Sequence, residues 1–158
     1  MKTFKLVLFY LLHWTWALSQ NLVGGIGFLL LRGKHRHERF HGSIVTYVDK
    51  EGFGGVSLGM FIFMNPSRNN GWLHDTRIHE FGHCVQSILL GPLYWLVVAL
   101  PSILWCNLPS MVRRRKEKDI SYYALYCEGW ANVWGAAWSG EEFVTQEMLG
   151  RGRFGRKW

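Results

Sequence analysis

Charge is what this chain has least of. Only 18% of its 158 residues are Asp, Glu, Lys or Arg, against about 25% in ordinary soluble chains. Two stretches, residues 6–31 and 81–112, hold none at all. Three cysteines, an odd and small number, exclude a disulfide framework. A chain of 158 residues has room for a single core and not for two ordinary soluble domains. No segment repeats another. What the chain does have is apolar surface, with 49% hydrophobic residues, 16% aromatics and nine Trp. That excludes intrinsic disorder and points to a protein that uses lipid as part of its solvent. Basic residues outnumber acidic ones, 18 to 11, for a net charge of +7. Their placement decides whether they serve nucleic acid, anionic lipid or topology.

The first uncharged run is 26 residues long, which at about 1.5 Å per helical residue is enough to cross a hydrocarbon core of about 30 Å. A cleavable leader is the competing reading, because Lys2 and Lys5 precede the run and residues 17–19 are Ala-Leu-Ser. Hydrophobicity continues through residues 22–31, which favours a retained N-terminal membrane segment over residues 1–31. Ser19, Gln20 and Asn21 interrupt it, so a bent helix and a short helical hairpin both satisfy the pattern. The second run has its apolar centre at residues 88–105, punctuated by Gly91-Pro92 and Pro101. These predict kinks or breaks between shorter helices. Basic residues cluster just outside the runs: Arg32, Lys34, Arg36 and Arg39; Arg113, Arg114, Arg115, Lys116 and Lys118; Arg151, Arg153, Arg156 and Lys157. Basic flanks beside apolar runs are topology signals facing the cytoplasm, and nucleic-acid binding is set aside. If the first two clusters share a side, the chain between them crosses twice or dips in and returns.

Residues 40–72 read as water-facing and partly extended, with strands at 42–49 and 55–64 around a turn at 50–54, together a β-hairpin. A loop at 65–71 leads into a helix over 73–90. On that helix lies His79-Glu80-Phe81-Gly82-His83. Residues four apart share a helical face, so both imidazoles reach one ion. Glu80 sits about 100° further round, beside the metal without occupying a ligand place, where it can hold a water and take its proton. Catalytic zinc takes three protein ligands, and Glu128 is the best third. It is the lone ionisable carboxylate in an aromatic-rich helical segment at 120–138, where an unpaired charge is costly. Asn132 falls one turn later on the same face, placed to bond a ligand histidine. Gly82, Gly129 and Ala131 permit close approach of the two helices.

HEFGH with the downstream Glu128-Gly129-Trp130-Ala131-Asn132 and Gly135 resembles the gluzincin metallopeptidases, especially the membrane-embedded HtpX-like and CAAX prenyl protease-like group, whose third ligand opens an ExxAD motif. The resemblance implies that His79, His83 and Glu128 bind Zn2+ and that Glu80 is the catalytic base of a membrane-associated peptidase. It also implies that the strands before the helix hold extended substrate at a sheet edge. The match in arrangement covers residues 42–135, and in identity the two motifs only. Asn132 stands where the family has aspartate, and the chain is much shorter than those enzymes.

Peptide hydrolysis needs an oxyanion-stabilising group, for which His74, Tyr122, Tyr123 and Tyr126 are the candidates. Cys84 and Cys127 adjoin ligands but point about 100° away from them, which disfavours both as ligands. His35, His37 and His41 alternate in a basic loop. His13, between apolar residues and beside Trp14 and Trp16, reads as interfacial. The expectation is a mostly α, membrane-associated chain with a small β-hairpin, in one domain spanning 1–158. Its zincin-like core covers 40–138, including the apolar segment 85–107, and a basic tail covers 139–158. Its expected partners are a peptide or protein substrate and membrane lipid, with no nucleic acid. The rival expectations are a non-catalytic zinc-binding membrane protein and a structural membrane scaffold.

Overall fold

The structure, a computed structural model, describes residues 3–145. The C-terminal basic cluster from Arg151 onward lies outside the described residues. Most of the chain is helical. Helix α1 spans Thr3–Trp14 and α2 spans Leu18–Leu31, joined by three residues. The first apolar run is therefore two helices, and the break falls at residues 15–17; Ser19, Gln20 and Asn21, expected to interrupt the run, lie in the first turn of α2.

Four short strands follow: β1 (His37–Phe40), β2 (Ser43–Tyr47), β3 (Gly55–Leu58) and β4 (Phe61–Met64). They form one mixed sheet in the order β1-β2-β4-β3. This corrects the expected two-stranded hairpin in three ways. The supposed basic loop contains a strand, β1, which turns into β2 through His41 and Gly42, both at positive φ (46° and 96°) as a two-residue hairpin loop requires. The second expected strand is itself a hairpin, broken at Gly59 (φ 62°). And β2 pairs in parallel with β4, not antiparallel with β3. Burial explains the choice. Phe61, Ile62, Phe63 and Met64 are all buried, and a continuously apolar strand belongs in the interior of a sheet. Gly-Val-Ser-Leu alternates in burial and takes the edge. Most of residues 40–64 are therefore packed, not water-facing.

Helix α3 (Asn70–Leu90) begins where the Asn69 side chain accepts the Trp72 N–H at 2.8 Å, an N-cap bond. Phe81, inside the HExxH string, faces away from its histidine neighbours and packs between Phe9 and Phe40, with ring centroids 5.8 and 5.7 Å away. That contact fixes the rotation of α3. Beyond Leu90 the chain turns through 118° by way of Gly91, Pro92 and a π-helical turn at Trp95–Ala99. It continues as α4 (Leu100–Asn107) and α5 (Pro109–Glu117). Pro101 has no N–H to give the Val97 carbonyl, which instead accepts the Tyr126 hydroxyl. A 3₁₀ turn (Tyr122–Ala124) precedes α6 (Tyr126–Ser139), and Gly140 in the left-handed region ends it.

Helices α3 and α6 lie backbone against backbone. A Cβ on Gly82 would sit 1.9 Å from the Ala131 carbonyl oxygen, and one on Gly135 2.1 Å from that of Ile78. Gly129 has a different role from the one expected, since it faces the Tyr123 carbonyl of the 3₁₀ turn that precedes α6. Among the described residues no single helix is long and apolar enough to cross a membrane. One bent pair, Asn70–Leu93 with Trp95–Asn107, meets the test of length and composition.

Candidate metal centre

The close approach of α3 to α6 brings His79, His83 and Glu128 together. Their nearest ligand-type atoms all lie within 4.8 Å of one another, and all three residues are buried. Oε2 of Glu128 is 3.1 Å from Nε2 of His79 and 3.3 Å from Nε2 of His83. Two atoms bound tetrahedrally at about 2.1 Å from a zinc ion lie about 3.4 Å apart, so the spacing suits one small divalent cation. This is the one such group of three among the described residues.

The orientation of the rings is fixed from behind. His79 donates through Nδ1 to Oδ1 of Asn132 at 2.7 Å, and His83 donates through Nδ1 to Oε1 of Gln86 at 2.6 Å. With both Nδ1 atoms protonated, each Nε2 lone pair faces Glu128, the tautomer a metal ligand needs. Gln86 is in turn held by donating through Nε2 to the Cys127 carbonyl at 2.7 Å. Sequence reasoning placed Asn132 but missed Gln86. Its spacing of three from His83 was a legible signal, because residues three apart are neighbours on a helix surface.

Electrostatics favours a cation at the same point. Burial alone would raise the Glu128 carboxyl, but His83 and His79 outweigh it and hold the group well below the usual carboxylate range. Burial alone would depress the His83 imidazole, but Glu128 outweighs it and lifts it to about 9. A proton on His83 therefore occupies the place that a metal ion would take with two charges. Glu80 is buried beside the cluster and pushed up by burial, an effect partly opposed by His79 and His83. Ser57 of β3 also lowers it, and its buried Oε2 makes no hydrogen bond in the structure. Oε1 lies 2.5 Å from where a Cβ on Gly55 would be. Only glycine at that point of β3 lets the carboxylate lie against the strand.

Glu80, His79 and His83 line a cavity of about 270 Å³ whose walls are the β3 edge, the π turn and α4, and Tyr122 and Tyr123. The volume suits a short extended segment. Of the oxyanion candidates, Tyr122 and Tyr123 line this cavity, with the Tyr123 ring 5.2 Å from that of His79. Tyr94, which sequence reasoning missed, joins them. His74 lies elsewhere, bonded to Asp75 and Glu141 at 3.0 and 3.3 Å, and Tyr126 is bound to Val97. Cys84 and Cys127 stand outside the ligand group. His37 bonds Thr46 and the Arg32 carbonyl, and His41 bonds Glu141. His13 is fully buried against Phe9, bonded to its carbonyl, and not interfacial. Comparison with protein-family models, curated proteins and solved structures returns no match.

Proposed function

We propose that this chain is a membrane-associated, zinc-dependent peptidase in which His79, His83 and Glu128 hold the metal and Glu80 is the general base, an arrangement that resembles the gluzincins. The observation that carries the reading is the unpartnered Oε2 of Glu80, buried beside three inward-facing ligand atoms in a cavity open to a strand edge. A bound zinc ion supplies Lewis acidity toward a water and a substrate carbonyl. The rest belongs to the chain. Glu80, raised by burial, takes the attacking water's proton and returns it to the departing amine. Among the described residues strand β3 pairs only with β4. Its other edge is suited to bonding an extended peptide by strand addition, and Gly55 brings that edge against Glu80. Tyr94, Tyr122 and Tyr123 supply hydroxyls on the cavity wall to receive the developing oxyanion.

The test is zinc content, measured by atomic emission on purified full-length chain, together with cleavage of fluorescein-labelled casein. Wild type is expected to hold one zinc and to cleave. Glu128→Ala is expected to lose the metal, and Glu80→Gln to keep it while losing turnover. Full activity in Glu80→Gln defeats the proposed role of that residue. Absence of stoichiometric zinc in wild type defeats the whole reading.

A further inference from the structure

The apolar surface of this chain is exposed on its helices, in positions a water-soluble fold would fill with polar residues. Phe4, Val7 and Leu11 on α1, Ile26 and Leu30 on α2, and Leu96 on the π turn are each more than half exposed. The two uncharged runs have something further in common. Each bends in its middle, and the two bends are fastened together. Gln20 donates to the Gly91 carbonyl, the Trp95 indole donates to Ser19 at 3.0 Å, and Gly91 has no room for a Cβ because the Trp16 ring lies against it. Four helical arms leave this one junction: α1, α2, the C-terminal half of α3, and the π turn with α4.

No arm is long enough to cross a bilayer. At about 1.5 Å per residue, α1 with its 12 residues is about 18 Å long and α2 with its 14 about 21 Å. The hydrocarbon core is about 30 Å thick, and one leaflet with its headgroups about 20 to 22 Å. The far ends of the arms are each held against the body formed by the sheet, α3, α6 and the 3₁₀ turn, on the side away from the junction. Lys5, on α1, lies over the Trp138 ring at the far end of α6, 5.7 Å from its centroid. The Arg32 carbonyl, just past α2, bonds His37 of β1 at 3.0 Å. Glu38 of β1 pairs with Arg77 of α3 at 2.8 Å. Arg115, beyond α4, lies over Tyr122 at 5.3 Å, next to Tyr123 and the metal centre. Two basic clusters stand at this polar end: the exposed Arg32, Lys34, Arg36 and Arg39 around the single acid Glu38, and the exposed Arg113, Arg114, Lys116 and Lys118 with the half-buried Arg115, with Glu117 and Asp119 the acids nearby.

We infer that the chain inserts into one leaflet of an anionic phospholipid bilayer and does not cross it, with the Trp16–Gly91 junction deepest and both basic clusters at the headgroups. The excess of positive charge around the apolar arms argues for anionic lipid as the occupant over a second copy of this equally basic chain. The inference deepens the membrane part of the function proposed above and is independent of zinc. It also sets the depth of the chemistry. His83 and Glu80 precede Gly91 on α3 by eight and eleven residues, or about 12 and 16 Å along the helix. That is the depth of the boundary between hydrocarbon and headgroups. The substrate is then a peptide segment lying at the membrane surface, not one within the bilayer centre.

Full-length chain carrying Cys106→Ser, which removes the exposed native thiol, is reconstituted into sealed phosphatidylcholine–phosphatidylglycerol vesicles. Cysteines are introduced singly at Lys34, Arg114, Trp14 and Leu96, and membrane-impermeant maleimide is applied outside or trapped inside. The expected result is equal labelling at Lys34 and Arg114 from one face, and loss of labelling at Trp14 and Leu96 from both faces until detergent is added. Either Trp14→Cys or Leu96→Cys suffices if the other does not fold. Labelling of a junction position from the face opposite Lys34 would show crossing, and would overturn the one-leaflet arrangement while leaving the membrane reading intact. A chain that stays in the aqueous phase as a dimer overturns both, and leaves the zinc centre to its own test.

Discussion

Replacing Gly82 by Ala tests whether the α3–α6 contact is what assembles the metal centre. Two effects oppose each other. Alanine is favoured over glycine inside a helix by about 1 kcal/mol. Against it, the new Cβ would lie 1.9 Å from the Ala131 carbonyl oxygen, with the Ala131 carbonyl carbon and Cα at 2.6 and 2.8 Å. All three are backbone atoms, so no rotamer change relieves the overlap. Reaching the 3.4 Å of an ordinary contact means parting the helices by about 1.5 Å, against an overpacking cost of about 1 to 3 kcal/mol in a tight core. The difference is a net loss of up to about 2 kcal/mol. The same displacement carries Glu128 away from Nε2 atoms now 3.1 and 3.3 Å from it, beyond what one ion with bonds of about 2.1 Å can bridge. Zinc affinity, measured by competition with a chromophoric chelator, is expected to fall at least about tenfold, as it does when a ligand's supporting groups are disturbed. Gly129→Ala is the control, because its Cβ meets only the Tyr123 oxygen at 3.2 Å, and it should leave affinity within about twofold by the same reasoning. A folded Gly82→Ala chain that binds zinc like wild type would refute the claim that backbone contact sets the ligand geometry.

Gln86→Leu strands the His83 Nδ1–H and frees the ring to rotate. Zinc affinity should drop about 10- to 100-fold, and Gln86→Glu, which keeps an acceptor, should recover part of it in the same chelator assay. Glu38 accepts from Tyr47 at 2.7 Å, Arg77 at 2.8 Å and Arg36 at 3.1 Å. Burial would raise its carboxyl, but these three bonds outweigh it and lower it below 4.5. Its contribution is therefore fully present above the unfolded value and lost as pH falls through the lowered folded one. In urea melts Glu38→Gln should cost about 1 kcal/mol at pH 7, and the gap should close toward pH 3; a pH-independent gap counts against the assignment. Asp75 accepts from the backbone N–H groups of Val144 and Thr145 at 2.9 and 2.7 Å and from the Thr145 hydroxyl at 2.6 Å. Asp75→Asn should loosen that segment, read as faster limited proteolysis C-terminal to Gly140.

The residues of the centre were legible because metal chemistry imposes a spacing. Two histidines four apart, and a lone carboxylate with an amide one turn later, were enough to name His79, His83, Glu128 and Asn132. Gln86 obeyed the same rule and was passed over, because an amide in an apolar run reads as a polar blemish until its partner, the Cys127 carbonyl of another helix, is known. The sheet was less legible. Residues 55–64 look like one strand because Gly59-Met60 is a weak turn signal, and the parallel pairing of β2 with β4 joins residues that no local pattern connects. The glycines divided the same way. Gly82 and Ala131 were picked out and do meet, but the second close approach on α6 is made by Gly135 and not Gly129, since the crossing point of two helices depends on their angle and not on either sequence alone.

Helix α3 ties the chemistry to the apolar frame. Its first half carries Arg77, which binds the sheet through Glu38, together with His79 and Glu80; its second half, free of Asp, Glu, Lys and Arg from Phe81 onward, adds His83 and runs into the junction at Gly91. Because a helix is stiff along its axis, the distance from ligands to junction is fixed by residue count alone. The α6 side is fixed independently, through Gly82, Gly135 and the Gln86–Cys127 bond. The 118° bend after α3 then brings α4 back to wall the cavity with the outer faces of Leu96 and Leu100 turned to the exterior. A straight continuation of α3 would lengthen the apolar span but leave His79 and Glu80 open to water on that side. The bend that makes the apolar segment too short to cross a bilayer is therefore the same feature that encloses the site.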